Sequence, residues 1–281
     1  MNDRNPLFVH RDNYHLQVEQ HGTGPHLLII GSVNYYKKVI PESLHNYFTC
    51  VYVDHRGFSK CDAVNPVEFV SLDTITRDIQ AICDSLNLTK TSVLGHSGHA
   101  YMAMHFASHA KTKIEKLIVV GAAPSLSGDM QEKQFTYWSE NASEQRKKLL
   151  DTSMARLESD IAKQPERKFA HICRRLGPMR WKDASFDELP LWDDVEMNTP
   201  LLDTLWGEIF RDVELTQFSS NLDATVINGE LDFSIAPIEV WESIEGAFKS
   251  LQLIKLEDVS HTPMLEEPEK FIETILSIFN H

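Results

Sequence analysis

The sequence is poor in cysteine, with four among 281 residues: Cys50, Cys61, Cys83 and Cys173. They form no CxxC pair and no cluster with the spacing of metal ligands, which argues against a disulfide framework and a structural zinc site. Buried or free thiols in a reducing cytosol are the simplest interpretation. The sequence also lacks an HExxH motif and a phosphate-binding glycine-rich loop. We therefore expect no metal and no cofactor.

Positive charge and long apolar runs are also scarce. Lys and Arg number 27 against 41 Asp and Glu, a formal net charge of -14 that disfavours binding to nucleic acid. No apolar run approaches the length of a membrane span. Met1 to Leu7 is polar and lacks the basic and apolar regions of a secretory signal. We expect a cytoplasmic protein that binds a small-molecule substrate, with no nucleic-acid or membrane partner, and the composition favours no particular oligomeric state.

Strand-like and helix-like segments alternate along most of the chain. A loosely alternating stretch from Leu7 to Gln20, broken at Arg11-Asp12-Asn13, predicts a hairpin at a sheet edge. Short apolar runs predict buried strands at His26–Gly31, Phe48–Asp54, Thr91–Gly95, Lys116–Gly121, Ala224–Asn228 and Leu251–Leu256. Helical spacing occurs at Thr74–Leu86, Ala100–Ala107 and Pro268–Phe279. This alternation is typical of an α/β fold, with a mostly parallel central sheet flanked by helices.

The pattern changes between about Ser125 and Thr204. This stretch is polar, charged and helix-like, without a strong strand, and it predicts a helical insertion. We therefore expect a core formed by residues 1–124 and 205–281 and a helical cap formed by residues 125–204.

A serine lies at the junction of a predicted strand and a predicted helix. The segment Gly95-His96-Ser97-Gly98-His99 has the context of a nucleophile elbow, in which a tight turn lifts the serine Oγ above the sheet. Backbone N–H groups at the start of the helix can then stabilise an oxyanion. His99 stands where a GxSxG motif has its last glycine, so its side chain must find space. A serine that caps the helix is the alternative interpretation.

A nucleophilic serine needs a neutral imidazole and an acid to orient it. Asp232 and His261 follow late strands, at the edge of the sheet where open α/β folds bind ligands. Glu230 remains an alternative acid. His96 and His99 are alternative bases, although a sharp turn should point both away from the serine oxygen.

Five segments carry a resemblance to a known family: LLIIGSVNYY, VDHRGFSKC, VLGHSGHA, INGELDF and SHTPMLEEPEKF. The chain resembles the α/β-hydrolases, and within them the proline iminopeptidase-like and related ester- and lactone-hydrolysing members. The resemblance implies a catalytic triad of Ser97, Asp232 and His261. It also implies an oxyanion hole made by the backbone N–H groups of Gly98 and Ser32. The family usually has His-Gly in the second of these loops, where this chain has Ile30-Gly31.

The expected function is that of a serine hydrolase, either a carboxylester hydrolase or an aminopeptidase. It would form an acyl-enzyme with a small ester, lactone, thioester or amide under the cap. A serine at position 97 argues against epoxide-hydrolase and dehalogenase chemistry, because relatives with those activities carry Asp there. The alternatives are a catalytically weak binding or signalling protein on the same fold, a cofactor-free lyase or perhydrolase, and a proline iminopeptidase-type aminopeptidase.

Several residues in and near the predicted cap have two interpretations. Tryptophans there would line an apolar substrate pocket or simply pack short helices; they are Trp138, Trp181, Trp192 and Trp206. An aminopeptidase would need carboxylates for the substrate ammonium, for which Glu196, Glu208 and Glu214 are candidates. The basic stretch Lys163 to Lys168, with Arg174-Arg175, is either a solvated helix face or a site for an anionic substrate group.

Overall fold

A computed structural model describes residues 6–63, 70–215 and 220–279. Most of the amino-terminal segment Met1 to Leu7 therefore lies outside the described residues. The strands are β1 (Leu7–Arg11), β2 (Tyr14–His21), β3 (His26–Gly31), β4 (Thr49–Asp54), β5 (Lys60–Cys61), β6 (Lys90–His96), β7 (Lys113–Val120), β8 (Ser220–Gly229) and β9 (Phe248–Leu256). The α-helices are α1 (Val33–Val39), α2 (Leu72–Ser85), α3 (His99–His109), α4 (Gly128–Asn141), α5 (Glu144–Met154), α6 (Leu157–Lys163), α7 (Lys168–Arg175), α8 (Gly177–Arg180), α9 (Thr199–Thr204), α10 (Pro263–Glu266) and α11 (Pro268–Phe279).

The strands form one sheet in the order β1-β2-β4-β3-β6-β7-β8-β9, with β5 paired to β2. From β4 to β9 along this order neighbouring strands are parallel, whereas β2 is antiparallel to β1, β4 and β5. The predicted hairpin is confirmed, because β1 and β2 pair around a turn in which Asp12 has a φ of 53°. The six predicted buried strands are present as well, with ends that differ by up to a few residues.

Helices cover both faces of the sheet, as the apolar strands predict. Alternate residues of β3 divide between two apolar clusters: Leu28 and Ile30 join one, and Leu27 and Ile29 join the other. The first cluster includes buried residues of α2 and α3, and the second includes buried residues of α1 and α11. Burial on both faces removes apolar surface from water all along the central strands, and this is the main stabilising term of such a sheet. The predicted α/β fold, with a mostly parallel central sheet flanked by helices, is confirmed in this architecture.

Between β7 and β8 the described residues form helices and turns, from α4 to α9, followed by a π-helical turn at Leu205–Ile209. Several of these helices begin at a capping side chain: Ser127 accepts from Met130 N, Ser143 from Arg146 N and Asn198 from Leu201 N. The boundaries of the predicted cap at residues 125 and 204 stay a prediction.

The four cysteines are free, and Cys50, Cys83 and Cys173 are buried. Within the described ranges, no helix is both long and apolar enough to cross a membrane. The same residues contain no group of three or more His, Cys, Asp or Glu side chains arranged to hold a metal ion.

Candidate active site

The carboxyl ends of the parallel strands meet at one edge of the sheet, and the candidate triad follows three of them. Ser97 follows β6, Asp232 follows β8, and His261 follows β9. Backbone hydrogen bonds tie these connections together: Ser97 N donates to Val120 O at 2.9 Å, and Leu231 N donates to Val259 O at 2.8 Å. The sheet therefore brings together residues that lie far apart in sequence, at the edge where such folds bind ligands.

Ser97 lies on a strained turn between β6 and α3. Its φ of 57° is in the left-handed region, which costs a non-glycine residue roughly 1–3 kcal/mol. The turn also needs small neighbours, because a Cβ at Gly95 would lie 2.6 Å from the Cα of Ala100. Gly98, and not Ser97, is the N-cap residue of α3. The strained geometry therefore favours the nucleophile-elbow interpretation over a serine that merely caps the helix.

Asp232 and His261 form a buried pair. Asp232 Oδ2 accepts a hydrogen bond from His261 Nδ1 at 2.7 Å, and the two residues are 2% and 1% exposed. Asp232 Oδ1 accepts from the backbone N and the Oγ of Ser234, at 3.0 and 2.5 Å. The alternative acid, Glu230, is exposed and accepts instead from Asp258 N. Asp232, and not Glu230, is therefore the carboxylate hydrogen-bonded to the His261 imidazole.

The other ring nitrogen of His261 is available. Nε2 is buried and has no hydrogen-bond partner among the described residues, so Ser97 Oγ is not bonded to it here. With a proton on Nδ1 shared with Asp232, a neutral His261 carries its lone pair on Nε2. This is the tautomer that a general base needs.

The two alternative bases point elsewhere. His96 Nε2 donates to the backbone oxygen of His261 at 2.8 Å, and His99 Nδ1 lies 2.8 Å from the Tyr36 hydroxyl. Burial lowers the pKa of His96 well below its usual value and that of His99 to about 3, so both rings are neutral near pH 7. Neither ring makes a hydrogen bond with Ser97.

The two expected oxyanion donors, the amides of Gly98 and Ser32, donate to no protein acceptor within the described part of the chain. Ser32 is the N-cap of α1, and its Oγ accepts from Tyr35 N. Tyr36 occupies the space beside the loop, because a Cβ at Gly31 would lie 2.2 Å from its ring and 3.0 Å from His99 Nδ1. The hydrogen-bonded Tyr36 and His99 pair therefore supports this loop. Nothing in the sequence identified Tyr36 as a support of this loop.

Aromatic side chains cover the elbow. The ring of Trp206 packs on Gly98, where a Cβ would lie 2.6 Å from it, and its centroid is 5.6 Å from that of His99. Trp192 packs on Tyr35, with ring centroids 4.3 Å apart. Of the four tryptophans, Trp206 thus lies directly against a residue expected to bind the oxyanion.

The remaining tryptophans have packing partners. Trp138 lies edge-on to Phe233, next to Asp232 in the chain, and Trp181 packs on Phe186. The indole N–H groups of Trp181 and Trp192 both donate to Glu188, which is fully buried. Glu188 was not predicted, and a single acidic residue among 41 Asp and Glu gives no signal of its own.

Most of the charged residues that the sequence offered as substrate-binding candidates lie on the surface. Glu196, Glu208 and Glu214 are all exposed. The basic stretch forms ion pairs with acidic side chains: Arg167 with Asp193, Lys168 with Asp203, Arg174 with Asp187 and Arg175 with Asp160. These contacts favour the solvated-face interpretation of the basic stretch. The three more exposed pairs, those of Arg167, Lys168 and Arg174, contribute little stability.

Glu266 is an acidic residue of the carboxyl-terminal segment SHTPMLEEPEKF, and it binds the loop that carries His261. Its carboxylate accepts from the backbone N of Ser260 and of Thr262, both at 3.0 Å, and from Lys182 N at 3.2 Å. Because Ser260 and Thr262 flank His261, one half-buried carboxylate holds the histidine loop on both sides. The same carboxylate joins that loop to the residues that follow α8.

Asp54 holds the start of α1, next to Ser32. Its Oδ1 accepts from Val33 N at 2.7 Å. Burial raises the pKa of the Asp54 carboxyl to about 8, although its backbone hydrogen bonds act in the opposite direction. The folded protein then keeps a proton that the unfolded chain releases near its ordinary pKa of 3.8. Since the native state binds more protons between those values, this residue makes stability fall as pH rises from about 4 to 8.

We expect Asp54→Asn to remove that slope, because the amide oxygen still accepts from Val33 N and carries no charge at any pH. The stability of the variant relative to wild type should increase between about pH 5 and pH 8, as measured by urea unfolding at both pH values. Asp223→Asn is the control. Hydrogen bonds from Ser250 and Lys249 lower the pKa of Asp223, so it is ionised across this window in both states. Parallel slopes for wild type and Asp54→Asn would contradict the assignment.

Comparisons with known proteins agree with this architecture. The family model described as "alpha/beta hydrolase fold" matches residues 21–268. The chain is 34% identical over 264 residues to the AB hydrolase superfamily protein YclE of Bacillus subtilis, covering 93% of this chain and 94% of that protein. It is 22% identical over 251 residues to epoxide hydrolase 1 of Caenorhabditis elegans, covering 83% and 58% of the two chains.

A solved structure is similar as well. The esterase EaEST from Exiguobacterium antarcticum superposes with a TM-score of 0.66 at 20% identity, over 95% of this chain and 96% of that one. The family model spans most of the sequence, and the relative from Bacillus subtilis is similar over nearly its whole length. The chain therefore belongs to the alpha/beta hydrolase fold family.

Proposed function

We propose that this protein is a serine hydrolase that forms an acyl-enzyme with a small ester, lactone, thioester or amide. The observation that carries the proposal is Ser97 on its strained turn, at the same sheet edge as the buried Asp232 and His261 pair. Membership of the family supports hydrolysis in general. The mechanism and the substrate class rest on the residues of this chain.

In the proposed reaction, Ser97 Oγ attacks the substrate carbonyl while His261 Nε2 takes the serine proton. Asp232 holds the imidazole through Nδ1 and stabilises the imidazolium that forms. The amides of Gly98 and Ser32 donate to the oxyanion, and because both belong to the backbone, the donors are already oriented. His261 then gives its proton to the leaving group, and water hydrolyses the acyl-enzyme by the reverse sequence of proton transfers.

We further propose that the helices between β7 and β8 act as the cap, from about residue 125 to residue 204. Trp206, just after this segment, would then contact the acyl group, because it already packs on Gly98. An aminopeptidase is less well supported, since Glu196, Glu208 and Glu214 are exposed. Serine at position 97 also disfavours the epoxide hydrolysis named for the relative from Caenorhabditis elegans.

A binding protein on the same fold is the second candidate function. It is favoured by two observations: His261 Nε2 makes no hydrogen bond with Ser97, and Trp206 packs directly on Gly98. Such a protein would bind a small molecule at this edge of the sheet with little or no turnover.

The test is intact mass spectrometry after treatment with a fluorophosphonate, on wild type, Ser97→Ala and Ser234→Ala. We expect one adduct on wild type and none on Ser97→Ala, because only an activated serine reacts with the reagent. Ser234→Ala is the matched control, since the Ser234 hydroxyl lies 3.1 Å from His261 Nδ1, and it should keep the adduct. Folded wild type that takes up no reagent would instead favour the binding protein.

A further inference from the structure

Arg180 is a buried cation beside the candidate triad that the proposed mechanism does not use. It ends α8 and is 8% exposed. An arginine in such surroundings needs a carboxylate and hydrogen-bond acceptors to offset its desolvation. The Glu188 carboxylate raises the pKa of Arg180 further, against the effect of burial, so the guanidinium stays charged.

The backbone around Arg180 is fixed to the catalytic loops. His261 N donates to Arg180 O at 3.0 Å, and Phe233 N donates to Met179 O at 2.9 Å. Arg146 donates through its guanidinium to the carbonyl oxygens of Pro178 and Trp181, which flank this part of α8. Arg180 is therefore held in place relative to Asp232 and His261 by bonds to residues adjacent to both.

The hydrogen-bonding capacity of Arg180 is largely unused. Nε donates to Glu188 Oε2 at 3.3 Å. Glu188 is itself held by the indole N–H groups of Trp181 and Trp192, at 2.5 and 3.0 Å. Over the described ranges, neither Nη1 nor Nη2 donates to a protein acceptor. Glu188 thus anchors the guanidinium by one edge and leaves its two terminal nitrogens free to bind something else.

Several ionisable groups of the candidate active site lie close enough to feel the Arg180 charge. Burial is the largest cause of the pKa shifts of Tyr35, Tyr36 and His96; the Arg180 charge acts on each as well, after Glu188 for Tyr35 and after His261 for His96. Tyr35 Oη is buried and, like His261 Nε2, has no hydrogen-bond partner among the residues that the structure describes. His96 directly precedes Ser97, and its ring centroid lies 4.8 Å from that of His261. Arg180 therefore lies next to the His261 loop, and the buried Tyr35 Oη is a polar group nearby that no described residue bonds.

Building on the proposed function, we propose that Arg180 binds a carboxylate of the substrate, so that the preferred substrates are carboxylate-bearing esters such as half-esters of dicarboxylic acids. The two terminal nitrogens of a guanidinium match the two oxygens of a carboxylate. A monoanion fits better than a phosphate dianion, because Arg146 is already engaged with backbone carbonyls and Asp232 supplies negative charge nearby. Tyr35 Oη is available as a further donor.

The test compares the monomethyl and dimethyl esters of succinate, glutarate and adipate, with proton release recorded in a pH-stat. Within each pair the substrates differ only in whether the far group is a carboxylate or a methyl ester. We expect wild type to prefer at least one monoester over its diester by about 10- to 100-fold in kcat/KM, the range expected for hydrogen bonds to a charged group. Added salt should weaken this preference only modestly, because the site is buried.

Two variants assign the preference to the guanidinium. Arg180→Lys keeps a positive charge near Glu188 and loses the paired terminal N–H groups. Arg180→Met combined with Glu188→Gln removes both charges, so that no buried carboxylate is left unpaired. We expect the monoester-to-diester ratio to fall in the first variant and to reach 1 or less in the second. Thermal unfolding and fluorophosphonate labelling report whether each variant has folded and kept its Ser97 site.

The inference and the proposed function can fail separately. Suppose that wild type hydrolyses the diesters through Ser97 and shows no preference for any monoester. The proposed carboxylate site at Arg180 is then wrong, and the proposal of a serine hydrolase is supported. If wild type hydrolyses nothing, calorimetric titration with sodium glutarate and sodium adipate tests the site directly. Binding to wild type that both variants lose supports the carboxylate site, and the absence of binding to wild type overturns it.

Discussion

Replacing His261 by Gln should lower kcat by roughly 10⁴-fold or more on any ester that the wild type hydrolyses at neutral pH. Glutamine fills a similar volume and can donate a hydrogen bond to Asp232 in place of the 2.7 Å bond from His261 Nδ1. The loop can therefore keep its conformation in the variant. It has no nitrogen that accepts a proton. Ser97 would then have to attack as a neutral hydroxyl, with only the oxyanion donors and substrate binding left to accelerate the reaction.

His96→Gln is the matched control for this experiment. His96 is as deeply buried as His261 and donates to its backbone oxygen, a bond that a glutamine amide can replace. We expect a loss of less than about 100-fold, because His96 orients the histidine loop and transfers no proton. Steady-state kinetics on one ester, at a concentration above its KM, measures both variants. A larger loss in His96→Gln than in His261→Gln would show that the base has been assigned to the wrong residue.

Replacing Gly229 by Ala should both destabilise the protein and lower its activity. A Cβ at position 229 would lie 2.3 Å from the carbonyl oxygens of Ser260 and Val259. These are backbone atoms, and Leu231 N and His261 N hold the surrounding loops through hydrogen bonds at 2.8 and 3.0 Å. The His261 loop must therefore move away from β8, which separates His261 from Asp232. We expect a loss of about 3 kcal/mol or more in the free energy of unfolding, at the upper end for overpacking.

Gly128→Ala provides the control, since a Cβ there would meet no atom within 4 Å and the residue begins α4. It should leave stability the same or raise it by a few tenths of a kcal/mol, because Ala reduces the freedom of the unfolded chain. Urea unfolding of both variants, together with kcat on one ester, makes the comparison. If Gly229→Ala is as stable as wild type, then Gly229 does not pack closely against the carbonyl oxygens of Val259 and Ser260.

The strands were the part of the fold most readily predicted from the sequence. Runs such as His26–Gly31 are apolar at successive positions, because helices cover the strand on both faces. The short strand β5, Lys60–Cys61, was not predicted. Two residues are too few to show a periodicity, and their pairing with β2 is decided by the fold.

The candidate site was predictable to the extent that its residues sit in local motifs. Ser97, Asp232 and His261 each follow a predicted strand, which places all three at the same edge of the sheet. The choice of Asp232 over Glu230 depended on the resemblance to the family. In the structure it depends on geometry, since the carboxylate of Asp232 reaches His261 Nδ1 and that of Glu230 bonds to Asp258 N.

By itself, the sequence determined the order of strands and helices, the parallel sheet and the place of the serine, because these follow from local apolar periodicity and short motifs. Only the tertiary structure brought Arg180, Glu188, Tyr36 and Trp206 to the candidate active site. These residues lie on α8, after it, on α1 and after α9, and no spacing along the chain relates them. Long-range packing brings them to one edge of the sheet. The terminal nitrogens of Arg180 are therefore the basis of a proposed carboxylate site that no sequence pattern indicates.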